Sequence, residues 1–509
     1  MNSLAPYISE YLRSLAPAYF MRQYAVIIGL FVFGAILSDA LLGNDEKWLR
    51  RCVLAYPVGV AAFSVTGYAM LVIGIPYNTL TVCLAVLLEA CAAVSVRRKS
   101  FAASARSGWR HMIPALGAVL VLAAVATSGI LPVSVSNDSM YYFKRYPDCI
   151  VYFGGLRDQF DFWLTDTGLG IVSFETLPAL FGFGESFGIR EFFHMNFIAF
   201  FALAAYERAG RYTARAKAAA AAATLLLVIS TPFVILGHWA LANMYFMEMF
   251  FIAAYSAVCF DCGGIRAHAL LMVALSLFRI EGTIFVVWLI LCVSLYREEN
   301  RKLSVYAVVP MMVLFGGYCL KIFTQFYVFD NTYLFLTPVK ATFLIAAMGA
   351  AAVYVAKFQP ALKKKMPAVL PWAYLAALAA GNILLLIADS EHYIGNLRAF
   401  YANLFRQSGW GMFPYFAVAA SVFIAAQHVI MRIKRRGPAA GADRFSLVLA
   451  LGFVLIVLAA SFGRGDVLAE DMGDSGNRVM LQVVPLAVIA FAELFLELIA
   501  GDDGGNKEM

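Results

Sequence analysis

The chain has 509 residues, 62% of them hydrophobic and only 14% charged, with a mean hydropathy of +0.77 and a formal net charge of +7. Soluble domains carry about a quarter charged residues, so this composition excludes a protein that keeps its surface in water. The basic residues sit in short clusters between apolar runs, the pattern of cytoplasmic membrane loops rather than of a nucleic-acid surface.

Taken in chain order, the opening MNSLAPYISEYLRSLAPAYF lacks the basic start, short apolar core and small-residue cleavage site of a signal peptide. Apolar runs long enough to cross about 30 Å of hydrocarbon as helices then recur throughout. They fall at about 24–42, 52–74, 78–95, 112–131, 191–207, 218–236, 244–260, 267–278, 282–296, 303–321, 340–356, 368–388, 412–430, 445–462 and 479–499. The segment LMVALSLFRIEGTIFVVWLILCV reads as two short helices or one kinked helix. The expectation is an all-α, polytopic transmembrane helical bundle of about 13–15 spans.

Basic clusters set the orientation. Arg97, Arg98 and Lys99 follow the third span, and Arg208, Arg211, Arg215 and Lys217 the fifth. Lys363, Lys364 and Lys365 follow the eleventh, and Arg432, Lys434, Arg435 and Arg436 the thirteenth. Every second loop is therefore cytoplasmic. The intervening loops, 132–190, 237–243, 322–339, 389–411 and 463–478, fall on the outer face, as does the N-terminus. The tail, residues 500–509 with its GDDGGNKEM, reads as disordered and cytoplasmic.

Loop 132–190 is the longest. It carries Asp138, Asp148, Asp158, Asp161, Asp166, Glu175 and Glu185 among many Phe and Tyr, a mixture that predicts short amphipathic helices lying in the interface. It opens with SVSNDSMYYFKRYPD, where Asn137, Asp138, Tyr141 and Tyr142 stand just where a span ends. Ionisable groups inside spans are costly and mark functional sites or structural ion pairs. Such groups are Arg279 and Glu281 in LSLFRIEGTIF, Glu248 in ILGHWALANMYFMEMFF and Arg478 at the mouth of the last span. His238, Trp239, Asn243 and Tyr245 precede or adjoin Glu248, and His194 opens the fifth span. The loop SEHYIGNLRAFYANLFRQSGW adds His392, Arg398, Arg406 and Trp410.

Several chemistries are unsupported. No P-loop, G-x-S-x-G elbow or G-x-G-x-x-G is present, the six histidines form no H-x-x-x-H pair, and there is no D-x-D. Cys259 and Cys262 form a C-x-x-C with no second pair to complete a zinc site. Carboxylates are plentiful enough to hold a divalent metal, but nothing fixes its ligands, so no cofactor is firmly implied.

The NDSMYY context opening a long outer loop, the later FRIEG, and NRVMLQVVPLAVIAFAEL in the last helix together resemble the GT-C class of integral-membrane glycosyltransferases. The resemblance covers roughly residues 112–509. It departs from that class in placing three spans, residues 1–110, ahead of the one ending at the acidic loop, which reads as an added N-terminal module before a core over 111–499. The resemblance implies transfer of a sugar from a polyprenyl-phosphate carrier to a lipid-linked or cell-envelope glycan acceptor, on the outer face of the cell membrane. It implies Asp138 as the catalytic carboxylate, with Arg279 and Arg478 neutralising the departing phosphate. Asn137, Tyr141, Tyr142, His238, Glu281 and His392 would complete a substrate surface. The competing expectation is a transporter or flippase for lipid-linked saccharides, which also needs many helices and buried charge.

Overall fold

The computed structural model describes residues 17–42, 48–96, 115–127, 144–156, 168–183, 187–237, 242–259, 264–279, 282–329, 337–406, 409–433, 444–463, 468–470 and 475–503. Among the described residues the elements are helices and there is no strand. Among the described residues eight helices are each long and apolar enough to cross a bilayer: Phe20–Leu41, Trp48–Ile73, Thr79–Val96, Asn300–Thr324, Pro338–Lys365, Leu370–Ala388, Phe445–Phe462 and Arg478–Ile499. Shorter apolar helices, Ile265–Phe278 and Gly282–Tyr296 among them, accompany these eight. The chain is an all-α, membrane-embedded protein, and its chain divides into two compact units.

The first unit takes in residues 1–199, 240–290 and 297–358. Its helices include α1 (Pro17–Leu41), α2 (Trp48–Ile73), α3 (Thr79–Val96), α4 (Leu169–Phe174), the first half of α5 (Phe187–Ala209), α6 (Ala242–Cys259), α7 (Ile265–Phe278) and the start of α8 (Gly282–Tyr296). Helices α1 and α2 run in close contact because glycines face each other: a Cβ on Gly34 would overlap the Ala55 carbonyl, and one on Gly59 the Leu30 carbonyl. Helix α2 also packs on α4 and α7. Helix α6 is the innermost element, since from Met244 to Ala257 no residue is more than 2% exposed. An apolar helix buried on every side belongs in a core rather than at a surface.

Helix α4 departs from the expected interfacial helices of loop 132–190. All six of its residues are buried, so it has no polar face to lay on a membrane surface. It is held inside because Gly168 and Gly170 bring its backbone against the last turn of α7, where a Cβ on Gly168 would overlap the Leu277 and Phe278 carbonyls. The link after α2 clamps it from the other side. Tyr77 donates to Ser173 O (3.1 Å) and bonds Thr176 Oγ1 (3.0 Å), while Thr79 Oγ1 donates to Leu180 O (2.7 Å). Burial pushes the Tyr77 hydroxyl above its ordinary range, which keeps it a neutral donor.

The second unit takes in 200–239, 291–296 and 359–509. Helices α9 (Leu370–Ala388), α10 (Ser390–Phe405), α11 (Phe445–Phe462), α12 (Ser475–Met480) and α13 (Val483–Asp503) build it, with α11 packed on both α9 and α13. Two buried ion pairs fasten α13: Arg208 to Glu493, and Arg444 to Glu497 through both guanidinium nitrogens. Arg208 is therefore not one of the solvated loop charges that its place beside Arg211 and Arg215 suggested. It lies in the last turn of α5 and is 1% exposed.

Candidate functional site

Ionisable side chains gather in the first unit where the starts of α5 and α6 meet the ends of α4 and α7. Helix α5 opens with IREFFH, which puts Arg190 and His194 one turn apart on one face, with Glu191 beside them. Helix α6 opens with Asn243, Tyr245 and Glu248, and Glu175 follows the last turn of α4. Arg279 ends α7 in an extended conformation, φ −147° and ψ 149°, and α8 starts three residues later, with the Gly282 N–H donating to Arg279 O at 3.0 Å. A side chain on Gly282 would press on the Phe246 ring, so the start of α8 is packed directly against α6.

Three hydrogen bonds tie these elements together. His194 Nδ1 lies 2.5 Å from Glu248 Oε1, Tyr245 Oη donates to Glu175 Oε1 at 2.7 Å, and the Arg279 guanidinium donates to Asn243 Oδ1. Arg190 is within electrostatic reach of Glu191, His194, Tyr245 and Glu248. Tyr56, from α2, donates to Ile189 O at 3.2 Å and stacks edge-on against Phe192.

Apart from Arg279, the side chains of this cluster are buried. Glu248 is 0% exposed, Glu175 1%, Arg190 and Glu191 3%, His194 5%; only Arg279 is half-buried. Glu191 Oε2 and Glu248 Oε2 accept no hydrogen bond among the described residues. Buried charge is a poor source of stability, because desolvating two ions costs several kcal/mol that their attraction rarely exceeds. Three carboxylates, two guanidiniums and an imidazole therefore call for a role beyond holding helices together. Chemically, the arrangement offers a forked cation for an anionic group and carboxylates for hydroxyls or protons.

The residues expected from sequence fall into three groups. Asn137, Asp138, Tyr141, Tyr142, His238 and Glu281 lie outside the described residues, as does Cys262 of the C-x-x-C. Arg279 joins the cluster through Asn243, on the helix that also carries Tyr245 and Glu248. His392 and Arg478 belong to the second unit, on α10 and α12, which pack on one another. There His392 is half-buried with its ring 5.0 Å from that of Phe462, and its N–H completes the helix cap on Asp389 (3.0 Å). Arg478 is half-buried in the last turn of α12. The sequence reading missed Arg190 and Glu191 and treated Glu175 as one loop acid among seven. A run of Arg, Glu and His at positions 190, 191 and 194 among FGI and FF was the signal available.

Among the described residues no three His, Cys, Asp or Glu side chains gather as a metal ion would need. Comparison with known protein families, with characterised proteins and with solved structures finds no match.

Proposed function

We propose that the chain is a membrane glycosyltransferase that moves a sugar from a polyprenyl-phosphate carrier to a lipid-linked or cell-envelope glycan acceptor at the outer face of the membrane. The observation that carries the reading is the bond between Arg279 and Asn243, which ties a half-buried guanidinium to the helix bearing Tyr245 and Glu248. The acidic segment that opens at Asp138 supplies Glu175 to the same cluster.

In this reaction the acceptor oxygen attacks the anomeric carbon and the bond from that carbon to the phosphate oxygen breaks. The electron pair leaves on the carrier phosphate, and the acceptor proton passes to Asp138 as general base. Arg279 meets the phosphate charge as it develops, the step at which a fixed cation lowers the barrier most. Asn137, Tyr141, Tyr142, His238 and Glu281 complete the substrate-binding surface in this reading.

One observation favours a second reading. Helix α7 gives way to an extended Arg279 next to a buried acid and imidazole cluster, and helices interrupted in this way mark ion and substrate paths in transporters. The deciding experiment supplies purified, lipid-reconstituted protein with a panel of radiolabelled polyprenyl-phosphate sugars and an extract of native acceptors. Transfer by wild type, with donor binding but no transfer by Asp138→Asn, supports the enzyme. Movement of labelled lipid across the vesicle with no sugar transferred supports the transporter instead.

A further inference from the structure

We propose that Glu191, His194 and Glu248 form a buried proton-binding site that holds one exchangeable proton between α5 and α6. The inference rests on the geometry of the first unit and does not depend on sugar transfer.

His194 Nδ1 and Glu248 Oε1 are 2.5 Å apart, a separation that requires a hydrogen between them, carried on the ring nitrogen or on the carboxyl. Glu191 is within electrostatic reach of both residues. Its Oε2 and that of Glu248 are each buried without a hydrogen bond among the described residues. Two adjacent carboxylates in a low-dielectric interior disfavour each other's ionisation, and an oxygen with no donor makes each anion costlier still. One proton on the pair relieves both penalties.

The surrounding groups leave this work undone. On α5 itself Arg190 faces the pair and acts on both carboxylates, but its single positive charge balances only one of two negative charges. From α6, Tyr245 gives its hydroxyl to Glu175, the acid after α4, and Asn243 takes the guanidinium of Arg279 from the end of α7. From α2, Tyr56 gives its hydroxyl to Ile189 O. Neither tyrosine therefore donates that proton to Glu191 or Glu248. The residues are closed over by rings, with Phe197 6.5 Å from the His194 ring and Phe193 5.7 Å from Tyr245, and a proton needs no cavity.

The test is infrared difference spectroscopy on the full chain in lipid nanodiscs, stepping from about pH 4 to about pH 10 across the range in which carboxyl and imidazole groups titrate. Wild type should show a protonated-carboxyl stretch that shifts in heavy water and disappears as the pH rises. The amplitude of one carboxyl should vanish in Glu248→Gln or in Glu191→Gln, and His194→Phe should move the pH at which it disappears. Glu497→Gln serves as the control, because the Glu497 carboxylate on α13 takes two hydrogen bonds from Arg444 and is not part of the α5–α6 pair. A wild type with no such band at any pH overturns the proposal, whether or not the variants fold. So does a band of equal size and midpoint in wild type and in both glutamine variants.

Discussion

Inside a membrane protein a guanidinium is tolerated where something else takes its hydrogen bonds, and at Arg279 the acceptor in hand is the amide oxygen of Asn243. If that guanidinium meets a carrier phosphate, Arg279→Ala should slow transfer by about 100-fold or more, the usual loss on removing one preorganised donor from a developing charge. Arg279→Lys should recover only part of it, since an ammonium lacks the planar fork. The check is initial rates in reconstituted vesicles beside melting temperatures in the same lipid. Equal rates in all three proteins would remove Arg279 from the reaction. Arg208 makes a different case, because its guanidinium is 1% exposed and bonds the Glu493 carboxylate. Arg208→Met takes the hydrogen-bonded cation from the buried Glu493 carboxylate and should cost about 3 kcal/mol, whereas adding Glu493→Leu should restore most of it. Thermal unfolding of the single and double variants measures both. In the sequence these two arginines look alike, each a cation beside an apolar run. Only the partner distinguishes them, and the partners are 36 and 285 residues away.

At the scale of helices, long apolar runs were legible because twenty residues of hydropathy need no tertiary knowledge, and helices such as Trp48–Ile73 and Phe445–Phe462 appear where those runs lie. Helix α4 was not legible. A six-residue buried helix shows no period of 3.6, and its surroundings of acids and aromatics suggested an interface. What places it inside is the bare backbone of Gly168 and Gly170 against α7, a fit that no local pattern announces. The candidate site was half legible for the same reason. Arg279, Glu248, His194, Asn243 and Tyr245 stood out as polar residues in apolar runs, but their pairing depends on four elements converging. The α1–α2 contact gives a clean test of backbone approach. Gly34→Ala inserts a methyl into the Ala55 carbonyl and should destabilise the protein by about 3 kcal/mol or more, the upper end of overpacking costs. Gly29→Ala, on the same helix with nothing within 4 Å of its Cβ, should be neutral or stabilise by roughly 0.5–1 kcal/mol. Thermal melts of the two variants in one lipid should separate widely; coincident melts would mean that α1 and α2 are not in contact in the membrane.

For the molecule as a whole, the question is which face of the membrane each charged loop occupies, and one helix of the second unit puts it in testable form. Helix α9 separates Lys364 from Glu391, both exposed. At about 1.5 Å per residue its 19 residues span about 28 Å, close to the hydrocarbon thickness. Most of α9 faces away from the protein, with only 17% of its apolar window buried, as a helix touching lipid should. The lysine cluster at 363–365 predicts that this end lies in the cytoplasm, because lysines resist translocation, and that Glu391 lies outside. In a cysteine-free background, a membrane-impermeant maleimide should label Glu391→Cys in intact cells and Lys364→Cys only after permeabilisation. Labelling of both from one side would mean that α9 does not cross. The reverse pattern would turn the protein over, and would move the loop that opens at Asp138 to the cytoplasm. Sugar transfer from a carrier at the outer face would then have to be abandoned. The proton site between α5 and α6, which asks only for burial, would stand in either orientation.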